Sequence, residues 1–119
     1  MPTILIVDDS ESIRELISSN LTDAGYEVIK AKNGQDGIDK LSNKVELIVT
    51  DLNMPIMDGI TMVQTIRNLP EHKHLPIIML TTESQLEKKN AARVAGATAW
   101  IVKPFEEEKL LGVIKKFVR

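Results

Sequence analysis

The stretch IVTDLNMPIMDG, residues 48–59, decides the fold. An apolar run, Leu47-Ile48-Val49, ends in Thr50-Asp51, and Met54-Pro55 and Asp58-Gly59 follow within a few residues. A short β-branched run of this kind reads as a buried strand. The proline turns the chain away, and Asp58-Gly59 opens the next helix, with Asp58 as its cap. A buried strand that delivers a carboxylate to its tip raises a chemical question as well as a structural one.

Four more runs share the pattern: Ile4–Val7, Tyr26–Ile29, Ile77–Leu80 and Trp100–Val102. Three of the five runs are almost uniformly apolar, as parallel strands buried on both faces should be. Helical spacing lies between them. Ile13, Leu16, Ile17, Leu21 and Ala24 form one stripe, with Ser10 as the expected N-cap and Gly25 as the terminator. Asn33-Gly34 precedes a short helix with Ile38 and Leu41, and Ile60, Val63 and Ile66 mark the helix after Asp58-Gly59. Leu86, Ala91, Val94 and Ala95 mark a fourth, closed by Gly96. Leu110, Leu111, Ile114, Phe117 and Val118 mark the last, which starts with Glu106-Glu107-Glu108 and ends with Lys115, Lys116 and Arg119, complementing its dipole. Successive βα units predict a parallel sheet covered by helices on both faces, with right-handed crossovers.

In such a sheet the ligand site lies beyond the carboxyl ends of the strands. Strand one ends in Asp8-Asp9, strand three in Asp51, strand four in Thr81-Thr82 and strand five in Lys103-Pro104; strand two ends blandly in Lys30-Ala31. Each of these is ordinary alone, as a turn acid, a cap or a solvated lysine. Together they bring carboxylates, a hydroxyl and an ammonium to one rim.

Composition narrows the chemistry. The chain has 119 residues, enough for one domain with its own core, and 43% are hydrophobic, which argues against disorder. It has no cysteine, so disulfide frameworks and thiolate metal sites are excluded. The first residues, with no basic stretch and an apolar run of four that meets two aspartates, are expected to form neither a signal peptide nor a membrane span. A net charge of −2 with interspersed signs gives no nucleic-acid groove. His72 and His74 are expected in a solvated loop.

Two carboxylates ~4 Å apart repel by ~4 kcal/mol at an effective dielectric of 20. Clustered acids therefore want a counterion. Lys103 supplies one charge, and an all-oxygen set of carboxylates, a backbone carbonyl and waters suits Mg²⁺. The turn Asp8-Asp9-Ser10-Glu11-Ser12 lacks GxGxxG and GxxxxGK[ST], so it does not cradle a nucleotide phosphate. The set suits phosphoryl transfer to a carboxylate instead. One aspartate attacks phosphorus, while a cation, a lysine and a hydroxyl take up charge on the phosphoryl oxygens.

The segments ILIVDDS, VTDLNMPIMDG, PIIMLTTES and AGATAWIVKPF resemble those of the receiver domain of bacterial two-component signalling, the CheY-like response regulators. The resemblance covers essentially the whole chain and implies a single receiver domain over residues 1–119. The implied fold is a flavodoxin-like, doubly wound α/β structure, with five parallel strands in the order 2-1-3-4-5 and five helices. Asp51 resembles the phosphoacceptor. Asp8 and Asp9 resemble the acid pair that holds Mg²⁺ together with Asp51, and Asn53 the donor of a metal-binding backbone carbonyl. Thr81 resembles the hydroxyl that follows the phosphoryl group, and Lys103 the lysine that pairs with it. Lys103–Pro104 is expected to be cis. Trp100 stands at the family's aromatic switch position, where tyrosine or phenylalanine is more usual.

The resemblance further implies a cytoplasmic, monomeric phosphorylatable switch, with Mg²⁺ as cofactor. It would take its phosphoryl group from a histidine kinase or phosphotransfer protein and then bind a downstream protein through a changed face. It would bind neither nucleic acid nor membrane. It would catalyse only its own phosphorylation and dephosphorylation, and the chain is expected to stand alone because it ends with the fifth helix. The alternative from another class is a Mg²⁺-dependent phosphohydrolase with an aspartyl nucleophile. That enzyme favours a second acid two residues beyond the nucleophile, where this chain has Asn53, and a cap insertion, for which no segment is long enough. A flavodoxin-like cofactor binder would need a glycine- and hydroxyl-rich loop in place of Asp8-Asp9.

Overall fold

Strands β1 (Thr3–Val7), β3 (Val45–Thr50) and β4 (Ile77–Thr81) form the centre of a parallel sheet, flanked by β2 (Glu27–Ala31) and β5 (Ala99–Val102) at the edges. A computed structural model of the chain describes residues 1–118. Arg119, expected to complement the last helix's dipole, lies outside the described residues. The strand order is β2-β1-β3-β4-β5, the doubly wound order that the resemblance implies. Every residue of β1 and β4 is buried, as is all of β3 except Glu46, whereas each edge strand buries one residue, Ala31 in β2 and Ile101 in β5. This is the burial expected when helices cover both faces of a parallel sheet.

The helices are α1 (Glu11–Asp23), α2 (Gly34–Lys40), α3 (Gly59–Arg67), α4 (Leu86–Ala95) and α5 (Glu107–Phe117). Alternate strand residues feed two cores. Ile4, Ile6, Leu47, Val49, Ile78, Leu80 and Ile101 pack with Ile17 and Leu21 of α1 and Leu110 and Ile114 of α5. Leu5, Val7, Ile48, Ile77 and Met79 pack with Met62, Val63 and Ile66 of α3 and Ala92 of α4, and Trp100 leans against the same cluster.

Local chemistry sets the helix starts. Ser10, Asn33 and Asp58 each accept a backbone N–H of the first turn, at 3.4, 2.8 and 2.8 Å. Gly59 has no alternative residue, because a Cβ there would run into the Asp51 carbonyl. That close approach lets α3 start directly under the tip of β3. Ile56, in the loop between them, has φ 71° and is 82% exposed; a β-branched residue in the left-handed region is a strained one. The Lys103–Pro104 peptide is cis.

The structure departs from the sequence reading in several places, among them the outer stripe residues Leu16 and Phe117, which are exposed. Strand β2 starts at Glu27 and runs through Ala31, because Ala31 pairs with Val7 while the Tyr26 N–H still closes the end of α1 on Leu21. The chain after α3 makes a 3₁₀ turn (Pro70–His72) that buries His72 to 8% exposure, so of the two histidines only His74 is solvated. Of the residues that mark the α4 stripe, Leu86 and Val94 are 70% and 84% exposed, Ala91 is exposed too and Ala95 is half-buried, and Ala92 is the helix's one buried residue. No helix is long and apolar enough to cross a membrane among the described residues.

Candidate functional site

The sheet delivers Asp8, Asp51 and Lys103 to a common point because β1, β3 and β5 all end at the same rim. The Asp51 N–H continues the ladder onto the Val7 carbonyl at 2.9 Å, which sets Asp51 one step past Val7 and level with Asp8. Lys103 Nζ lies 2.8 Å from Asp8 Oδ2 and 3.4 Å from Asp51 Oδ2. The three side chains are 10%, 2% and 12% exposed. Two nearly buried carboxylates thus share one ammonium. Removing that ammonium would leave uncompensated charge away from water, a costly arrangement.

Each carboxylate is held by its second oxygen as well. Asp8 Oδ1 accepts the Ser10 N–H at 2.9 Å, and Asp51 Oδ1 accepts the Leu52 N–H at 2.7 Å. The Thr50 hydroxyl donates to the Asp51 carbonyl at 2.9 Å. Side chain and main chain of Asp51 are therefore both fixed, as a group that must meet a reactant in one geometry requires.

Asp9 is exposed and completes an acidic group: carboxylate oxygens of Asp8, Asp9 and Asp51 lie within 4.8 Å of one another. Three carboxylates against one lysine leave the cluster short of positive charge. Hard, clustered oxygen donors with one side open to solvent fit a Mg²⁺ ion, which keeps several of its waters. Asn53 follows in the exposed loop two residues beyond Asp51.

Thr81 ends β4 fully buried, and its Oγ accepts the Glu83 N–H at 3.2 Å. The hydroxyl's partner here is the chain entering α4, not a carboxylate. Its own proton stays available to another acceptor. The Thr81 carbonyl accepts the Lys103 N–H at 2.8 Å, so the threonine and the lysine are tied through the backbone. Trp100 stands apart from the acids. It is half-buried on β5 and lines a groove of about 360 Å³ with Leu86, Lys89, Ala92 and Arg93 of α4.

Two arginines that carry structural work have no signature in the sequence pattern. Arg14 Nη1 donates to the Asp8 carbonyl at 2.6 Å. Arg67 donates through Nε and Nη2 to the Gly96 carbonyl at 3.2 and 2.8 Å, and through Nη1 to the His72 carbonyl at 3.0 Å. Burial lowers the Arg67 pKa, yet a guanidinium titrates so high that it keeps its charge.

A family model described as "Response regulator receiver domain" matches residues 4–115. Chemotaxis protein CheY1 of Helicobacter pylori is 38% identical over 110 residues, covering 90% of this chain and 89% of that protein. The uncharacterized transcriptional regulatory protein YrkP of Bacillus subtilis is 36% identical over 107 residues, and the match spans only 45% of that protein's length. Among solved structures, chemotaxis protein CheY4 of Vibrio cholerae superposes with a TM-score of 0.94 at 43% identity, covering 99% of both chains.

Proposed function

The chain belongs to the response regulator receiver domain family, and on that premise we propose that Asp51 is the phosphoacceptor of a Mg²⁺-assisted signalling switch. The observation that carries this reading is the convergence of Asp8 and Asp51 on Lys103 Nζ at 2.8 and 3.4 Å, with Asp9 beside them. As a CheY-like receiver of two-component signalling the domain is a phosphorylatable protein, not a metabolic catalyst. Residues 1–119 act as one receiver unit, cytoplasmic and monomeric, that promotes only its own phosphorylation and dephosphorylation.

The donor is a phosphohistidine on a histidine kinase or phosphotransfer protein. An Asp51 carboxylate oxygen attacks phosphorus. The P–O bond forms as the P–N bond breaks, and the imidazole leaves with the bonding pair. A carboxylate oxygen is itself the nucleophile, so the attack needs no general base. Lys103 is placed to neutralise a phosphoryl oxygen, and the Thr81 hydroxyl to donate to another. A Mg²⁺ ion held by Asp8, Asp9, Asp51 and the Asn53 carbonyl would supply further charge neutralisation at the phosphoryl group.

The signal leaves where Thr81 meets α4. Drawing the Thr81 hydroxyl toward a phosphoryl oxygen moves the Oγ that accepts the Glu83 N–H, which shifts the entrance of α4 and the space beside Trp100. The responding face is α4, β5 and α5, including Glu83, Lys88, Trp100 and Lys109, and its ligand is a downstream protein. The phosphohydrolase alternative lacks support, because Asn53 stands where that chemistry wants its second acid.

Incubation with Mg²⁺ and a small acyl phosphate, read by intact mass, tests the assignment. The wild type should gain one phosphoryl group and Asp51→Asn none. Equal labelling of the two proteins would remove Asp51 from its role.

A further inference from the structure

Arg14 sits one turn inside α1, its N–H bonded to the Ser10 carbonyl at 2.9 Å. Its side chain doubles back past the helix start to the Asp8 carbonyl, 2.6 Å from Nη1. The reason that carbonyl is open lies in β2. The Asp8 N–H still reaches the Ala31 carbonyl at 3.1 Å, but β2 ends at Ala31, and Asn33, whose N–H would make the next rung, caps α2 instead. The Asp8 carbonyl is thus one step past the last rung on that side, and a half-buried guanidinium takes the place of the missing strand.

Asp8 itself is secured by Ser10, Lys103 and Ala31 without Arg14. None of those contacts touches the side chain of Asp9, which is exposed. The carbonyl that Arg14 holds belongs to the peptide joining Asp8 to Asp9, so its direction sets how the chain leaves Asp8 and where the Asp9 carboxylate stands.

We propose that Arg14 is a positioning residue for the metal-binding acids, acting on Asp9 through the Asp8–Asp9 peptide. The proposal rests on the reading that Asp8, Asp9 and Asp51 hold Mg²⁺. The sign of the effect separates positioning from charge. A guanidinium near a divalent-cation site repels the ion. If charge were its whole contribution, removing Arg14 would tighten Mg²⁺ binding. Positioning demands the reverse.

The test is Mg²⁺ titration calorimetry on the 119-residue chain, together with melting curves with and without the metal, for wild type, Arg14→Ala and Arg14→Gln. Arg14→Ala should weaken Mg²⁺ binding about tenfold, the low end for losing an outer contact to a metal site. Arg14→Gln, uncharged but still an N–H donor, should recover part of the loss. With acetyl phosphate as donor, Arg14→Ala should need more Mg²⁺ for half-maximal labelling, while its rate at saturating Mg²⁺ stays close to wild type. The metal-free melt reads any loss of fold separately. Mg²⁺ binding in Arg14→Ala that equals or exceeds the wild type overturns the role of Arg14 alone. A wild type that binds no Mg²⁺ overturns the metal reading, and this proposal with it.

Discussion

Helices α3 and α4 lie side by side on the same face of the sheet, yet they are held in different ways. Helix α3 buries Met62, Val63 and Ile66 completely and starts on a side-chain cap from Asp58. Helix α4 buries one alanine, Ala92, receives no side-chain cap from Gln85, and leaves Leu86 and Val94 in solvent. Its carboxyl end is fastened instead, by Gly96 in a left-handed turn and by Arg67 on the Gly96 carbonyl. One helix is cemented by apolar area and the other is attached at a point. Rigidity is thus concentrated under Asp51, the proposed phosphoacceptor, and withheld next to Thr81. Segments with few buried contacts are the ones that open at low free-energy cost.

Substitutions of rising delicacy can break or sharpen that contrast. Ile66→Ala removes a fully buried α3 side chain and should cost about 2–5 kcal/mol in urea denaturation. Leu86→Ala on α4 should stay within about 0.5 kcal/mol, as surface changes do. Comparable losses from the two would dissolve the distinction. Arg67→Met keeps the stem but removes the donors to Gly96 and His72, and should cost about 1.5–3 kcal/mol, the usual range for hydrogen bonds to a charged group. Amide exchange should then quicken more in α4 than in α3; an equal rise in both would mean that Arg67 is general packing and not a fastening of α4. Asp58→Ala should cost about 1 kcal/mol through the lost cap, while Gln85→Ala should be close to neutral. The smallest effect runs the other way: Gln85→Ser offers α4 the cap it lacks and should gain about 0.5 kcal/mol, seen as a slight rise in melting temperature. No gain would mean that the entrance to α4 cannot take up cap geometry.

The unequal attachment also marks where the sequence stops being informative. Periodicity places strands and helices because burial of one face recurs in the pattern. It also put Asp8, Asp51, Thr81 and Lys103 at strand ends, and the structure does bring Asp8, Asp51 and Lys103 into contact. Periodicity reports which residues share a face, not whether anything covers it. Leu86 and Val94 fall on a regular stripe and remain bare. His72 looks like a loop residue until the 3₁₀ turn folds beneath Arg67. Arg14 and Arg67 grip backbone carbonyls, and a carbonyl belongs to every residue, so no residue type downstream betrays the contact. Arg67 reaches 29 positions along the chain to Gly96, a separation that no local spacing rule can register.

Pinning α4 at one end turns it into a door with its hinge at Gly96. Ten residues of helix make a panel of about 15 Å, so a swing of roughly 10° carries the far edge some 2.5 Å and the hinge edge almost nothing. The groove against Trp100 inherits this wedge geometry. Its Ala97 and Thr98 end lies at the hinge, and its Leu86 and Lys89 end lies at the edge that such a swing would open and close. A segment lying in the groove would find the same footing at the hinge whether the door stood open or shut. It would tell the two positions apart only at the edge, beside the chain that leads to Thr81.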